Sequence, residues 1–164
     1  MASQITLHAE NEADTSRLGA ALAGGLPAGT VVGLIGPLGA GKTRLVQAVA
    51  AAMGVDVRDV VSPTFVMVRE YPGPRPLYHF DAYRVRDLDE FFELGAAEYF
   101  DGGGLTFVEW ADRVTAALPE QRLEIEITVT GEAARDFHLQ AHGNTLSNAL
   151  QKIAAAFEGG QQID

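Results

Sequence analysis

A glycine-rich segment between an apolar run and a predicted helix constrains this chain more than any other feature of its sequence. Residues 36–43 read GPLGAGKT and match the pattern G-x-x-x-x-G-K-[ST] at every position. In such a segment the glycines let backbone N–H groups turn inward around phosphate oxygens, and the N-terminus of the following helix adds positive potential. The pattern predicts a phosphate-binding loop, because a turn that only opened a helix would need neither Lys42 nor Thr43.

The residues of this loop divide the predicted contacts with a nucleotide between them. Lys42 is expected to bind the β and γ phosphates, and the Thr43 hydroxyl is expected to bind Mg²⁺. Because Lys42 and Lys152 are the only lysines in the chain, no N-K-x-D segment that would read guanine exists, and ATP is the expected nucleotide. The predicted nucleotide-binding residues are Gly36, Pro37, Leu38, Gly39, Ala40, Gly41, Lys42, Thr43 and Arg44.

Hydrophobic patterning predicts an α/β fold in a single domain of residues 1–164. Residues 30–35 and 105–109 are short apolar runs bounded by turn residues, which is typical of strands buried on both faces of a parallel sheet. Alternation of polar and apolar residues predicts half-exposed antiparallel strands at 123–130 and 137–142. The other predicted strands are residues 4–8, 65–71 and 77–83, and the predicted helices are 15–23, 42–53, 88–100 and a last helix that Asn144 caps and that ends near 157.

Composition narrows the classes of protein to which the chain can belong. It contains no Cys, so disulfide frameworks and thiolate metal sites are excluded and a reducing compartment is expected. No apolar run approaches the roughly 20 residues that span a bilayer, and the first residues do not resemble a signal peptide. A cytoplasmic protein without a membrane segment is therefore expected. The net charge of -10 speaks against unassisted binding to a nucleic-acid backbone, because phosphate contacts need clustered Lys and Arg.

A phosphate-binding loop of this kind needs an acid on a second strand to hold the water shell of Mg²⁺ and, often, another group to orient the attacking water. Glu109 ends the apolar segment LTFVE, which is the Walker B pattern with Glu where Asp is more usual. Asp81 lies in HFDAYR, where alternation puts it on the same strand face as His79. The plainer alternatives are an exposed strand-end carboxylate for Glu109 and an ion pair with Arg84 or Arg86 for Asp81.

Three further features have both a plain and a functional interpretation. Residues 62–65, SPTF, are predicted to form a short polar turn before a strand, and the sharper interpretation is a switch-like segment that contacts the γ-phosphate. Trp110, the only Trp, is more often a core residue than a platform for a base. His79 is an ordinary hydrogen-bonded strand residue in the plain interpretation, and Tyr83 is predicted to share its strand face.

The segments GPLGAGKT, SPTF, HFDAYR and FVEW occur here in the same order as in the bacterial TsaE (YjeE) family, which residues 36–110 closely resemble. The resemblance implies a P-loop NTPase fold, with a mostly parallel sheet flanked by helices and antiparallel strands toward the C-terminus. It also implies Mg²⁺-dependent ATP hydrolysis in the pathway that makes threonylcarbamoyladenosine at position 37 of tRNA, through docking onto a complex of TsaB with TsaD. Pro37 and Arg44 depart from residues common in the family, but neither supplies an essential ligand.

Motif matching to this family also implies roles for individual residues. Lys42 and Thr43 would bind phosphate and Mg²⁺. Asp81 and Glu109 would be the acidic pair, serving as catalytic groups and with Thr43 as metal ligands, although which acid holds metal and which orients water is left open. Thr64 would belong to the switch-like segment and is the third predicted catalytic residue.

Two other functions compete with an ATPase. A small-molecule kinase of the P-loop class would transfer phosphate to an acceptor, and a nucleotide-sensing switch would bind ATP with negligible turnover. The candidate phosphate clamps of a kinase are Arg69, Arg75, Arg84 and Arg86.

Overall fold

The structure of the chain is a computed structural model that describes residues 3–56, 58, 60 and 67–159. The strands within these residues are β1 (Ser3–Ala9), β2 (Val31–Ile35), β3 (Val68–Tyr71), β4 (Leu77–Asp81), β5 (Leu105–Glu109), β6 (Arg122–Val129) and β7 (Arg135–His142). The α-helices are α1 (Glu12–Gly25), α2 (Lys42–Ala52), α3 (Leu88–Glu93), α4 (Ala96–Phe100) and α5 (Ser147–Gly159), and short 3₁₀ helices span Ala111–Arg113, Thr115–Ala117 and Asn144–Leu146. No helix among the described residues has both the length and the hydropathy of a bilayer-spanning segment.

The described strands form one sheet in the order β1-β7-β6-β2-β5-β4-β3. β2 pairs in parallel with β5 and with β6, and β4 pairs in parallel with β5, so the central strands all run the same way. The pairs β1–β7, β6–β7 and β3–β4 are antiparallel. The predicted fold class is confirmed, with the refinement that β6 is antiparallel to β7 and parallel to β2.

Helices cover both faces of the central strands. α1, α2 and α5 pack on one face, where Val32 and Leu34 of β2 and Phe107 of β5 are buried. α3, α4 and the 3₁₀ helices after β5 cover the other face, where Phe80 packs against Phe91 with ring centroids 5.6 Å apart. β2 and β5 are therefore buried on both sides, as their unbroken apolar sequences predict.

Local sequence signals explain where α1 begins and where α2 ends. The Asn11 side chain accepts a hydrogen bond from the backbone N–H of Asp14 and caps α1, which begins at Glu12, earlier than predicted. α2 ends at Ala52, and Gly54 follows with φ +85°, the left-handed conformation that is common just after a helix.

Two of the predicted helices differ from those in the structure. The predicted helix 88–100 is interrupted, because Gly95 adopts φ +83° and separates α3 from α4. The last helix does not begin at an Asn144 cap, since Asn144 opens a 3₁₀ turn and α5 follows from Ser147. In both places a helix was predicted correctly. A turn at Gly95 divides the first of them, and a 3₁₀ turn delays the start of the second.

The predicted strands 65–71 and 77–83 are present as β3, which begins at Val68, and β4, and the two strands pair antiparallel. Residues 65 and 66 lie outside the described part of the chain. β4 ends at Asp81 rather than at 83, because the Asp81 side chain accepts a hydrogen bond from the backbone N–H of Tyr83 and turns the chain. Tyr83 therefore lies beyond the strand and not on its face.

The parallel strands bring three segments to one edge of the sheet. β2 runs into the glycine-rich loop, while β4 ends at Asp81 and β5 ends at Glu109. Asp81 and Glu109 are direct partners in the register of β4 and β5. Open α/β sheets bind ligands at the carboxyl ends of their strands, so this edge is where a site is expected.

Candidate functional site

The loop between β2 and α2 has the backbone that its glycines predict. Gly39 (φ +80°) and Gly41 (φ +109°) both occupy the left-handed region, which other residues adopt only at a cost in free energy. Gly41 is the N-cap of α2 and no side chain caps that helix, so its first backbone N–H groups are available to an anion.

Lys42 is held against this loop. Its Nζ donates to the carbonyl oxygens of Gly36 at 2.6 Å and Pro37 at 2.9 Å, and it lies 4.0 Å from the centroid of the Trp110 ring. The residue is 5% exposed, and burial lowers the pKa of Lys42, while nearby carboxylates, Glu109 foremost, oppose that shift. A phosphate group could replace each of these contacts.

The Thr43 hydroxyl and the Glu109 carboxylate meet beside the loop. Thr43 Oγ1 donates to Glu109 Oε2 at 2.7 Å, and His79 Nε2 lies 2.6 Å from the same oxygen. Glu109 is 3% exposed and His79 is 0% exposed. The interpretation of Glu109 as an exposed strand-end carboxylate is therefore wrong, since the acid of LTFVE contacts the hydroxyl expected to bind Mg²⁺.

Asp81 lies at the same edge of the sheet as Glu109 and is 2% exposed. Its Oδ1 accepts a hydrogen bond from the backbone N–H of Tyr83 at 2.8 Å. Arg86, one of the two arginines considered as its partner, pairs with Glu90 at 2.5 Å. The two predicted acids thus come together in the fold, although they lie far apart in the sequence.

A pocket of about 420 Å³ collects the predicted groups, and it is lined by Leu38, Gly39, Gly41, Lys42, Thr43, Arg44, Asp81, Tyr83, Glu109 and Trp110. A second pocket of about 260 Å³ shares Gly39, Gly41 and Arg44 with the first. This second pocket reaches α1 and β7, where Thr15 and Phe137 line it. The glycine-rich loop therefore borders both pockets.

Trp110 and Tyr83 form an aromatic wall of the first pocket that the sequence interpretation did not assign. Trp110 has φ +59°, which is unusual for an aromatic residue, and its ring centroid lies 4.9 Å from that of Tyr83. The Arg113 guanidinium lies 5.2 Å from the Tyr83 ring centroid. Trp110 also packs on the core cluster, so its interpretation as a core residue is right only in part. Its position next to Glu109 was the one signal in the sequence for a role at the site.

The structure describes Ala40 and Arg44 among the three remaining predicted site residues. Ala40 is buried, and its carbonyl oxygen accepts a hydrogen bond from Arg135 Nε at 2.8 Å, a contact that the sequence did not predict. Arg44 lines both pockets and donates to Ser16 Oγ at 2.8 Å. Thr64 lies outside the described residues, so its switch-like role stays a prediction.

The chemistry of the pocket fits Mg²⁺. Thr43 offers a hydroxyl, and Glu109 and Asp81 offer carboxylates, which are the hard oxygen ligands that Mg²⁺ prefers. The described residues include no group of three or more His, Cys, Asp or Glu side chains placed to enclose a metal ion. Mg²⁺ needs no such enclosure at a phosphate-binding loop, because it keeps several waters and shares the substrate's phosphates.

The fold and the site together define the P-loop class of proteins. A glycine-rich loop joins the buried strand β2 to a helix, and acids end β5 and β4, the next two strands on one side of β2. A profile of the family described as "Threonylcarbamoyl adenosine biosynthesis protein TsaE" matches residues 9–137. The chain belongs to this family, and the resemblance found in its motifs is confirmed.

Individual relatives agree with the family match. The tRNA threonylcarbamoyladenosine biosynthesis protein TsaE of Bacillus subtilis (strain 168) is 39% identical over 152 residues, which cover 92% of this chain and 94% of that protein. The protein of the same name from Treponema pallidum (strain Nichols) is 39% identical over 123 residues, covering 75% of this chain and 90% of its own. The crystal structure of Bacillus subtilis YdiB matches with a TM-score of 0.78 at 34% identity, over 94% of this chain and 96% of that chain.

Proposed function

We propose that this chain is a Mg²⁺-dependent ATPase that assists tRNA N6-threonylcarbamoyladenosine biosynthesis through a partner complex of TsaB with TsaD. The hydrogen bond from Thr43 Oγ1 to Glu109 Oε2, at 2.7 Å, carries the enzymatic part of the proposal. It joins the hydroxyl of the GKT segment to the acid of LTFVE, and these are the two groups that P-loop NTPases use around Mg²⁺. Family membership supports the pathway.

The proposal assigns roles to the charged and hydroxyl groups of the pocket according to their chemistry. Lys42 binds oxygens of the β and γ phosphates with its ammonium, and the first backbone N–H groups of α2 bind others. Thr43, Asp81 and Glu109 would hold Mg²⁺ or its water shell. When bound, Mg²⁺ neutralises charge that develops on the phosphates during transfer. A carboxylate not engaged with the metal orients the attacking water.

The second pocket supports ATP as a substrate with a bound base. It adjoins the glycine-rich loop and combines the apolar Phe137 and Ala133 with the polar Thr15, Glu132 and Arg135. An apolar wall with a few polar groups suits a flat heterocycle. The sequence has no N-K-x-D segment to select guanine, so ATP is expected to bind in preference to GTP.

The kinase alternative is less well supported, because two of its four candidate phosphate clamps are engaged elsewhere. Arg75 donates to the carbonyl oxygen of Ala23 at 2.7 Å, near the end of α1. Arg86 pairs with Glu90 on α3. Among the described residues that line the pocket of about 420 Å³, the one arginine is Arg44, which was not among the four candidates.

A single-turnover measurement of phosphate release from ATP, with and without Mg²⁺, tests the enzymatic part. An ATPase releases inorganic phosphate in the presence of Mg²⁺. A kinase would instead give ADP and a phosphorylated acceptor, and a nucleotide-sensing switch would bind ATP and release almost nothing. Either of these results would replace the ATPase proposal.

A binding experiment tests the partner. The chain is immobilised with ATP or with ADP and presented with purified TsaB and TsaD. Retention that differs between the two nucleotides supports the proposal, because a ligand shifts an equilibrium only by its differential affinity for two states. No retention, or equal retention with both nucleotides, would remove this partner from the proposed function.

A further inference from the structure

His79 is a buried polar residue that the P-loop motif does not require. It lies on β4, two residues before Asp81, and its ring is 0% exposed beneath the pocket. Histidine is seldom placed in a core without a partner for its ring nitrogens, because a buried polar group without a hydrogen bond costs free energy. The contacts of its two nitrogens therefore indicate why a histidine lies here.

The two nitrogens of the His79 ring differ in their hydrogen-bond partners. His79 Nε2 lies 2.6 Å from Glu109 Oε2, whereas Nδ1 has no hydrogen-bond partner among the residues that the structure describes. An ionised carboxylate can only accept hydrogen bonds, so Nε2 is the nitrogen that carries the proton. Within the described residues the ring makes its one hydrogen bond to Glu109 Oε2, and this oxygen also accepts a hydrogen bond from the Thr43 hydroxyl at 2.7 Å.

We propose that His79 is a positioning residue, whose Nε2–H holds the Glu109 carboxylate in the orientation that meets the Thr43 hydroxyl. A glutamate side chain has several rotatable bonds, and fixing it costs conformational entropy that a preset donor reduces. The imidazole is fixed by packing in the core, so it can supply this donor without moving. Groups that orient a ligand of a metal tune metal binding in this way in many proteins.

This inference rests on the proposed function, because it assigns Glu109 to the Mg²⁺ site. It predicts that loss of the Nε2 donor weakens the gain in ATP affinity that Mg²⁺ provides. If His79 only fills the core, any well-packed side chain at this position should preserve that gain. The two explanations therefore differ in which substitutions of His79 keep the Mg²⁺-dependent gain in ATP affinity.

The test compares three substitutions at this position. His79→Gln places an amide donor near the position of Nε2, His79→Asn places one near the position of Nδ1, and His79→Leu removes the donor. ATP affinity is measured with and without Mg²⁺ for each folded variant. We expect the Mg²⁺-dependent gain to fall about 10–100-fold in His79→Asn and His79→Leu, the range for loss of such an orienting contact, and His79→Gln to keep most of it.

A matched control is His138→Asn on β7, where the ring contacts Thr6 and Gln4 away from the pocket. This variant should keep the full gain. The inference is overturned if His79→Leu also keeps it, or if His79→Gln loses as much as His79→Leu. If the wild-type chain itself shows no Mg²⁺-dependent ATP binding, the proposed function fails instead.

A measurement on the wild-type chain keeps the test decisive if a variant at this position does not fold. Long-range ¹⁵N–¹H NMR spectra of the imidazole report which nitrogen is protonated, without any nucleotide. We expect the proton on Nε2, and we expect the His79 signals to shift in the Glu109→Gln variant because the charged acceptor is lost. Protonation on Nδ1 alone, or signals that do not respond to Glu109→Gln, would contradict the proposed contact.

Discussion

The ammonium of Lys42 lies over the indole ring of Trp110, with 4.0 Å between Nζ and the ring centroid. The same ammonium donates to two carbonyl oxygens of the glycine-rich loop, those of Gly36 and Pro37. An ammonium has three N–H donors and two of them are used here, so oxygens of both the β and γ phosphates can bind only if at least one of these carbonyl contacts is displaced. The residue expected to bind phosphate is therefore coupled to an aromatic ring on the wall of the same pocket.

ATP is expected to change the fluorescence of Trp110, the only Trp of the chain, because the ammonium leaves the ring when it binds phosphate. Lys42→Ala should abolish that response and weaken ATP binding at least about tenfold, since a hydrogen bond to a charged group contributes about 1.5–3 kcal/mol. Titration of Trp emission and calorimetry measure the two effects. Lys152→Ala, which changes the one other lysine, is the control. Unchanged ATP affinity in Lys42→Ala would exclude the assigned phosphate contact.

Thr43→Ala is expected to weaken binding of ATP with Mg²⁺ more than binding of ATP alone, because the hydroxyl is assigned to the metal and not to the phosphates. Thr43→Ser is the matched control, since it keeps the hydroxyl that contacts Glu109. Binding constants from calorimetry with Mg²⁺ and with a chelator check the difference. Equal losses under both conditions would count against a metal-binding role.

Glu109→Gln and Asp81→Ala are each expected to reduce ATP turnover about 100-fold while changing the affinity for ATP without Mg²⁺ much less. An acid that holds metal-bound or attacking water matters most when charge develops in the transition state. Steady-state phosphate release and ATP affinity are measured side by side. Glu126→Gln on β6, where the side chain is exposed, is the control. Full turnover in both acid variants would make these groups structural carboxylates.

The pair of β1 and β7 should respond to pH through His8. Asp136 accepts a hydrogen bond from His8 at 2.6 Å and Glu10 accepts one at 2.9 Å, and these contacts raise the pKa of His8 above its ordinary value of 6.5. Because the folded pKa is raised, this stabilisation is fully present below the unfolded pKa and is lost as the pH rises through the folded value.

His8→Gln should therefore lower the free energy of unfolding relative to wild type more at about pH 5.5 than at about pH 8.5. Denaturant unfolding at a series of pH values measures the difference. Asp136→Asn, which removes the larger cause of the shift, should flatten the same pH dependence. A difference that is constant with pH would show that the His8 ion pairs do not affect stability.

The isolated chain is not expected to bind tRNA tightly. Its 12 Lys and Arg residues face 22 Asp and Glu residues, and each phosphate that a protein neutralises needs a cation. Filter binding or fluorescence anisotropy at several salt concentrations measures the affinity and its salt dependence. Tight binding that weakens steeply with salt would contradict a role through a partner, because it would show that the chain binds tRNA directly.

Much of the fold followed from local sequence signals. Unbroken apolar runs identify β2 and β5 as strands buried on both faces, because a strand covered on one side alternates instead. The break at Gly95 and the 3₁₀ turn at Asn144 were missed, since helical patterns continue across both and only the surrounding packing decides whether the chain turns. Strand order was also out of reach, because β2 lies between β5 and β6, which follow it much later in the chain.

The sequence alone determined the chemistry of the loop, because residues 36–43 are consecutive and their glycines, lysine and threonine set the local backbone and its ligands. Tertiary structure decided which acid meets Thr43, since Glu109 lies 66 residues away and comes close only when β5 pairs with β2. It also placed the His79 ring against that acid and the Trp110 ring against Lys42. Such contacts depend on strand register and on a left-handed residue after β5, which no local pattern of residue types specifies.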